Sequence, residues 1–408
     1  MATHTGSARL TTRAAAEAYV GGVCFKLGPP RLIGAELEWL TRTRDGGRPG
    51  PEEFAAALGP HAPTTIAPDS PALPLPGGSV VTLEPGGQIE LSSAPMAAAD
   101  DLCAALDADT EQLRGLLAGA GIAVDDGAAD RDRPAHRILP APRYRAMQRR
   151  FDSIGPYGRL MMCNTTATQV SVDAGADTAE VAARWRALYA IGPALLAAFA
   201  CSPRLHGIPP GDWASQRMRT WFELDRGRTE PPALTDPIGD YARWAVEAPV
   251  LCVRGGCADR GDDWSLPVDA SFANWIAGDL DAVIGRRPGW SDLDYHLTTL
   301  FPPVRAVGHL EVRYLDAQPG GRWRVPIAAV DALLGDPETV AEATALAAAT
   351  ADRWRCAAEF GLRETELRTA AVELLELAAS RSRWLASELE AAVHRCRRGR
   401  TVTEEGDR

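Results

Sequence analysis

The chain has 408 residues, of which 46% are hydrophobic and 24% are charged, as expected of a globular protein with one large domain or two fused ones. Its 54 acidic residues outnumber its 43 basic residues, and the formal net charge of −11 argues against a nucleic acid as its main partner. Lys26 is the only lysine, which excludes a lysine-dependent phosphate loop of the GxxxxGK(S/T) type.

No segment of the sequence has the length and apolarity of a membrane anchor. Residues 1–13 are polar and lack the apolar core of a signal peptide, and the longest apolar run, residues 187–201, is shorter than the roughly 20 residues that span a bilayer. We therefore expect a soluble, cytoplasmic protein with no membrane partner. The eight cysteines include no CxxC pair and are expected to be buried thiols.

Hydrophobic periodicity predicts the elements of the first half of the chain. Residues 12–20 form a helix, and residues 31–40 form a strand in which alternate positions are apolar. Residues 49–58 form a short helix, and residues 79–93 form a hairpin with its turn at residues 85–87. Helices follow at residues 96–120, 143–153 and 178–200, and the segment 161–172 ends in a strand.

The second half of the chain continues this mixed pattern. Residues 203–237 hold few apolar residues but many arginines and tryptophans, which favours a functional loop region over a core element. Residues 310–315 alternate as a strand, and the chain is helical from Pro326. Widely spaced strands with helices between and after them are typical of an α+β fold, with a largely antiparallel sheet that helices cover on one face.

Acidic residues mark the other face of this sheet. Four glutamates lie at the non-core positions of the predicted strands: Glu36, Glu38, Glu90 and Glu311. A solvated sheet face would explain each of them singly. Together they would repel one another, because Arg313 is the only cation interleaved on these strands. Magnesium binds carboxylate oxygens together with substrate phosphates, so this face is a candidate metal–nucleotide site.

Two further groups could bind an anionic or amino-acid ligand. The first combines arginines and tryptophans: Trp213, Arg217, Arg219, Trp221, Arg226 and Arg228. Such arginines clamp carboxylates or phosphates with paired hydrogen bonds, although a solvated loop is the alternative. The second group is hydroxyl-rich and contains Thr166, Thr168 and Gln169.

Two other reactive side chains receive no catalytic role. Cys163 has no histidine near it in sequence, so we interpret it as a structural thiol and not as a nucleophile. His309 lacks a second ligand at helical spacing, so a zinc site is rejected.

Several runs of the sequence resemble the plant-type glutamate–cysteine ligase family, and most closely its bacterial branch that makes γ-glutamylcysteine for ergothioneine synthesis. The most specific runs are EPGGQIELS at residues 84–92 and HLTTLFPPVR at residues 296–305. Supporting runs lie at residues 33–38, 161–173, 217–229 and 311–314, and the resemblance extends over roughly residues 30–380.

The resemblance implies a fold similar to the catalytic domain of glutamine synthetase, with a curved antiparallel sheet, helices on its convex face and a helical C-terminal region. It also implies that two or three Mg²⁺ ions and ATP, as co-substrate, bind at Glu36, Glu38, Glu90 and Glu311. Arg217 and Arg228 would lie near a substrate carboxylate or phosphate. Further assignments are Arg313 as a catalytic residue, and Thr166, Thr168, Gln169, Trp221 and Trp323 as substrate-binding residues.

The activity implied is ATP-dependent ligation of the γ-carboxylate of glutamate to the amine of cysteine through a γ-glutamyl phosphate. We expect one catalytic domain over residues 1–400, helical over about 326–398, and a flexible tail at residues 401–408. The partners would be glutamate, cysteine and ATP, and the protein would be a monomer or weak homodimer. The alternatives are a ligase of the same fold with another amine acceptor and a module that binds metal–nucleotide without turnover.

Overall fold

Seven strands form one antiparallel sheet in the computed structural model, which describes residues 9–28, 31–258 and 262–403. The strands are β1 (Ile33–Arg42), β2 (Val80–Leu83), β3 (Ile89–Ser92), β4 (Ala123–Asp125), β5 (Thr168–Val172), β6 (Val304–Ala306) and β7 (Leu310–Val312). Their order across the sheet is β2-β3-β1-β5-β7-β6, and β4 pairs with the end of β1.

The helices surround this sheet and dominate the C-terminal part. They are α1 (Arg13–Cys24), α2 (Pro51–Leu58), α3 (Ala99–Gly119), α4 (Pro142–Asp152), α5 (Tyr157–Asn164), α6 (Thr178–Phe199), α7 (Gln216–Leu224), α8 (Arg226–Thr229), α9 (Pro237–Glu247), α10 (Phe272–Ala277), α11 (Asp281–Ile284), α12 (Trp290–Leu297), α13 (Arg324–Leu333), α14 (Pro337–Ala347), α15 (Trp354–Phe360), α16 (Thr365–Arg381) and α17 (Ala386–Arg397). Short 3₁₀ turns lie at Gly59–His61, Gly320–Trp323, Ala348–Thr350 and Gly361–Arg363.

The register of β1 separates the two faces of the sheet. Leu37 lies opposite Leu91 of β3 and Thr168 of β5, and Leu37 and Leu91 belong to the hydrophobic core. Glu38 lies opposite Glu90 on β3. Because neighbouring side chains on a strand point to opposite faces, the glutamates lie on the side away from the core.

Helices cover the apolar face. Helix α3 packs against β1, and α13 packs against β5. Helix α6 is buried along most of its length and contacts α14, α15 and α16, so it forms the centre of the helical layer. The α+β class and the antiparallel sheet predicted from the sequence are confirmed, and the C-terminal region is helical, but helices also lie over the polar face of the sheet.

The prediction of a loop over residues 203–237 is wrong in its central part. Residues 216–224 form α7, and Arg217, Arg219 and Trp221 are buried on it. Ser215 caps this helix, because its hydroxyl oxygen accepts a hydrogen bond from the Met218 amide at 3.0 Å. Polar composition concealed the helix because four of the side chains that it buries are polar or charged: Gln216, Arg217, Arg219 and Thr220. Strands β4 and β6 were also missed, since three residues are too few to show alternation.

The C-terminal segment differs in part from the predicted tail. Val402 is only 3% exposed and packs with Ala128, Cys201 and Ala317. Residues 404–408, the rest of that predicted tail, lie outside the described residues. None of the helices in the described ranges has the length and apolarity needed to cross a membrane.

Candidate active site

A cavity lies on the polar face of the sheet, enclosed by α4, α5, α7 and the loop that follows α12. Its charged lining consists of four glutamates and four arginines: Glu36, Glu38, Glu84, Glu90, Arg143, Arg217, Arg305 and Arg313. The sequence-predicted residues Gln169 and Trp221 also line it. Seven of the predicted site residues are therefore brought together here.

The turn between β2 and β3 positions two of the glutamates. Glu84 and Gln88 close the turn through a backbone hydrogen bond of 2.9 Å. Gly86 lies directly against α5, since a Cβ atom at this position would be 2.4 Å from Cα of Cys163. The Gln88 side-chain amide donates to the carbonyl oxygen of Thr165 at 2.9 Å. These contacts fix the turn against α5 and hold Glu84 and Glu90 over the cavity.

Burial and mutual repulsion disfavour the ionised form of four glutamates. Burial and the charge of Glu84 raise the pKa of Glu38 to about 8, although Arg217 and Arg313 oppose that shift. Burial, and then repulsion from Glu311, raises the pKa of Glu36. Burial raises the pKa of Glu84, and burial with its acidic neighbours raises that of Glu90 well above its usual range. Among the residues that the structure describes, desolvation outweighs the arginines that lie near these carboxylates.

The pKa of Glu311 is shifted in the opposite direction. Its Oε2 accepts hydrogen bonds from Nε of Arg305 and from a terminal nitrogen of Arg313, each at 2.7 Å. Burial alone would raise its pKa, but the two arginines outweigh burial and lower the pKa to about 2. Glu311 was predicted as a metal ligand, whereas in this structure it orients two arginines at the cavity wall.

Arg217 is fixed by groups behind the cavity. Its side chain is 2% exposed, and a terminal nitrogen donates to the carbonyl oxygen of Arg313 at 2.7 Å. The other terminal nitrogen lies 3.9 Å from Oδ1 of Asp316. Asp316 is itself held by the hydroxyls of Ser202 and Ser215, at 2.7 and 2.8 Å. The guanidinium of Arg217 is thereby pre-positioned beside Trp221.

Three buried polar atoms at the cavity wall have no hydrogen-bond partner within residues 9–28, 31–258 and 262–403: Oε1 of Gln169, Nε1 of Trp221 and Nε of Arg313. Nε2 of Gln169 donates to Glu38 at 2.8 Å, so the remaining oxygen of this amide is an acceptor. Leaving a buried polar group unpaired costs about 1–3 kcal/mol. All three atoms belong to residues that line the cavity, which favours a polar ligand there.

Five predicted site residues lie outside the cavity lining, namely Glu311, which contacts two of the lining arginines, and four others. The Thr166 hydroxyl donates to the carbonyl oxygen of Gly127 at 2.9 Å. Thr168 pairs with Leu37 and therefore faces the core side of the sheet. Trp323 lies in the hydrophobic core. Arg228 is fully buried, where it binds the backbone oxygens of Thr299 and Pro249.

Some lining residues were not assigned from the sequence. Glu84 lies in the EPGGQIELS run and Arg305 in the HLTTLFPPVR run. Their place in these two specific motifs could have identified them as site residues from the sequence. Arg143, Tyr144 and Met147 come from α4, which was predicted as a helix without a role in the site. Only the packing of α4 over the sheet brings these three side chains to the cavity.

The glutamate carboxylates of the cavity are the type of ligand that magnesium binds. No group of three or more His, Cys, Asp or Glu side chains in the described ranges is arranged to hold a metal ion by itself. Magnesium, however, is usually bound through one or two carboxylates and completes its shell with water and substrate phosphates. Glu38 and Glu90 lie opposite each other on adjacent strands, and both have raised pKa values. An added cation would favour their ionised forms.

An acidic, arginine-lined cavity on the face of an antiparallel sheet is suited to an enzyme that handles metal-bound phosphates. A model of the Glutamate-cysteine ligase family 2 (GCS2) matches residues 32–407. The glutamate–cysteine ligase EgtA of Mycolicibacterium smegmatis is 37% identical over 391 residues, which cover 94% of this chain and 87% of that protein. The chloroplastic glutamate–cysteine ligase of Arabidopsis thaliana is 32% identical and covers 61% of this chain and 47% of that protein.

A solved structure shares the fold. The glutamate–cysteine ligase of Francisella tularensis in complex with AMP matches with a TM-score of 0.54 at 13% identity, covering 93% of this chain and 85% of that one. The chain belongs to the glutamate–cysteine ligase family 2 and is an enzyme of the ligase class. The resemblance seen in the sequence motifs is thereby confirmed.

Proposed function

We propose that the enzyme joins the γ-carboxylate of L-glutamate to the amino group of L-cysteine, with ATP as co-substrate and Mg²⁺ as cofactor. The observation that carries this proposal is the cavity itself, where glutamates with raised pKa values face arginines and three unpaired polar atoms. The names of the relatives, which are glutamate–cysteine ligases, support the choice of substrates.

The unpaired polar atoms fit the α-amino and α-carboxylate groups of glutamate. Trp221 and Arg313 each offer an N–H donor, and the guanidinium of Arg217 lies beside the Trp221 ring. We assign these three residues to the α-carboxylate, because charged and planar donors bind carboxylates strongly. Oε1 of Gln169 is an acceptor for the α-ammonium group.

The carboxylates suit the phosphate side of the reaction. Glu36, Glu38, Glu84 and Glu90 would hold two or three Mg²⁺ ions, with Glu84 added to the set expected from the sequence. Bound Mg²⁺ would neutralise the triphosphate and act as a Lewis acid on the transferred phosphoryl group. Glu311 would have to exchange an arginine hydrogen bond for a metal bond before it could join this set.

The reaction divides into two displacements. A γ-carboxylate oxygen of glutamate attacks the γ-phosphorus of ATP, and ADP leaves, which gives γ-glutamyl phosphate. The cysteine nitrogen then attacks the acyl carbon, phosphate leaves with one of the original carboxylate oxygens, and the nitrogen loses a proton. Arg217 and Arg313 offset the negative charge that develops near them in the first step.

The proposal is tested with purified protein, ATP, Mg²⁺, L-cysteine and glutamate labelled with ¹⁸O in its γ-carboxylate. We expect γ-glutamylcysteine and ADP in equal amounts, and one ¹⁸O atom in each phosphate released. Product without ¹⁸O transfer would refute the acyl-phosphate route. A panel of other amines tests the alternative acceptor, and absence of ADP with every amine would refute ligase activity.

The likeness to EgtA ligases also supports a role for the product in ergothioneine synthesis. Deleting the coding gene in its host should then lower ergothioneine, and supplied γ-glutamylcysteine should restore it. An unchanged ergothioneine level in the deletion strain would contradict this role without affecting the proposed reaction.

A further inference from the structure

One wall of the cavity is formed by thioether and aromatic side chains, and we call it the acceptor wall. It consists of Tyr144 and Met147 from α4, Met161 from α5 and Phe301 from the loop after α12. Arg143 lies at the edge of this wall. Since Arg143 and Met147 are four residues apart on α4, they lie on the same side of the helix.

Arg143 differs from the other arginines of the cavity in its partners. Arg217 lies beside Asp316, and Arg305 and Arg313 bind Glu311. Arg143, by contrast, forms no ion pair with any residue in the described ranges. Its terminal nitrogens donate to the hydroxyl and carbonyl oxygens of Thr298, at 2.7 and 2.8 Å.

These partners orient Arg143 without neutralising it. Thr298 is uncharged, and the guanidinium carbon lies 5.2 Å from the centre of the Tyr295 ring. Both Arg143 and Thr298 are partly accessible to solvent. A planar guanidinium held by neutral groups at the mouth of a cavity keeps its positive charge for an incoming anion.

The neighbours of Arg143 indicate which anion this is. Arg143 lies near enough to Glu84 to oppose the rise in the pKa of that carboxyl. It is also on the same side of α4 as the thioether of Met147, and Met161 lines the same cavity. Thioether and aromatic groups make favourable contacts with a CH₂–SH side chain. Of this wall, Met147, Met161 and Phe301 offer no hydrogen-bond donor to a triphosphate.

We propose that Arg143 binds the α-carboxylate of the acceptor amino acid while the acceptor wall contacts its side chain. This inference rests on the proposed function and extends it, because it names the group by which the acceptor is recognised. The enzyme would then select amines that carry an adjacent carboxylate.

The test compares L-cysteine with cysteamine, which has the same thiol and amine but no carboxylate. Arg143→Ala should lower kcat/KM for L-cysteine about 10-fold or more, as expected for the loss of a charge-assisted hydrogen bond. The value for cysteamine should change little, so the preference for L-cysteine should fall by the same factor. KM values for glutamate and ATP should stay within about twofold of the wild type, since neither ligand would touch Arg143.

Two further variants separate recognition from structure. Arg143→Lys keeps the charge but not the paired donors, so it should recover part of the preference. Arg149→Ala removes an exposed arginine of the same helix that pairs with Asp263, and it should leave the preference unchanged. If cysteamine turns over too slowly to measure, a rise in KM for L-cysteine at constant kcat and constant KM for ATP is the expected result.

Three outcomes would overturn the proposal. Equal losses of kcat/KM for both amines would show that Arg143 has a structural role only. A rise in KM for ATP at constant KM for L-cysteine would show that its anion is a phosphate. If wild-type protein forms no γ-glutamylcysteine, the proposed function itself fails, whereas an active wild type with an unaltered Arg143→Ala variant removes only the acceptor assignment.

Discussion

Two glutamates at the cavity have pKa values that are shifted in opposite directions. Two arginines contact Glu311 and lower its pKa to about 2, whereas Glu38 has a neutral amide and a backbone N–H as its hydrogen-bond partners and a pKa raised to about 8. Desolvation raises the pKa of both side chains, so the difference comes from the neighbouring charges. Glu311 therefore pairs with two arginines of the chain itself, whereas no arginine near Glu38 outweighs the effect of desolvation on its pKa.

Trp221→Phe tests the proposed glutamate subsite at a single atom. The substitution keeps an aromatic ring but removes the unpaired Nε1 donor, so we expect KM for glutamate to rise about 2- to 13-fold, corresponding to one hydrogen bond of about 0.5–1.5 kcal/mol. KM for ATP should not change. Trp185→Phe is the matched control, because its Nε1 is also unpaired but the ring lies in the core against Phe25 and Tyr241. Equal effects of both substitutions on KM would contradict the assignment.

At the scale of elements, α7 connects the cavity to the groups behind it. The Ser215 hydroxyl caps this helix at the Met218 amide and donates to Asp316, which also lies beside Arg217. One side chain therefore fixes both the start of the helix and the anchor of its arginine. The position of Trp221, one turn further along, depends on the same contacts.

Ser215→Ala should consequently affect both stability and substrate binding. Loss of the cap should lower the free energy of unfolding by about 1–2 kcal/mol, and KM for glutamate should rise because Arg217 is less firmly held. Ser271→Ala removes the cap of α10, which lies outside the cavity, and should lower only the stability. Chemical denaturation and steady-state kinetics on both variants measure the two effects. An unchanged KM for glutamate in Ser215→Ala would show that α7 does not depend on its cap for function.

The hairpin turn offers a second test at this scale. Gly86→Ala would place a Cβ atom 2.4 Å from the backbone of Cys163, and backbone atoms cannot move aside cheaply, so we expect a clear loss of stability and of activity. Gly115→Ala is the control, since it lies within helix α3 with no atom within 4 Å of the added Cβ. That change should stabilise the protein by about 0.4–1 kcal/mol. Thermal unfolding of the two variants should therefore shift in opposite directions, and a Gly86→Ala protein as stable as the wild type would disprove the close contact.

At the scale of the whole molecule, the acidic cavity makes stability dependent on pH and metal. The pKa of Glu38 is raised from 4.5 to about 8, and those of Glu36, Glu84 and Glu90 are also raised. The folded, metal-free protein therefore holds protons that the unfolded chain releases. This stabilisation is complete below about pH 4.5 and is lost as the pH rises towards 8.

We therefore expect the Tm of the metal-free protein to fall between about pH 5 and pH 8, and Mg²⁺ to reduce that fall, because it favours the ionised carboxylates. Glu38→Gln should make the Tm less dependent on pH, since it removes the group with a pKa of about 8. Thermal melts in EDTA and in Mg²⁺ across this range measure the effect. A wild-type Tm in EDTA that stays constant from pH 5 to pH 8 would contradict the raised pKa values.

The sequence by itself determined five of the seven strands in the described ranges, the helical character from Pro326 onwards and the acidic character of one sheet face. Alternation along 31–40 and the glycine turn of the hairpin are local signals, because side-chain period and turn chemistry depend on neighbouring residues. The motifs that carry the family resemblance are also local. They contained Glu84 and Arg305, although neither received a role before the structure placed both in the cavity.

Only the tertiary structure decided which polar residues meet. Thr168 and Gln169 are neighbours in sequence, but the register of β5 against β1 turns Gln169 towards the cavity and Thr168 towards the core. Arg217 and Arg228 looked alike in sequence, yet long-range packing brings one to the cavity wall and buries the other against backbone carbonyl oxygens. Strand register and helix packing bring together residues that are far apart in the chain. Local sequence patterns therefore do not predict these contacts.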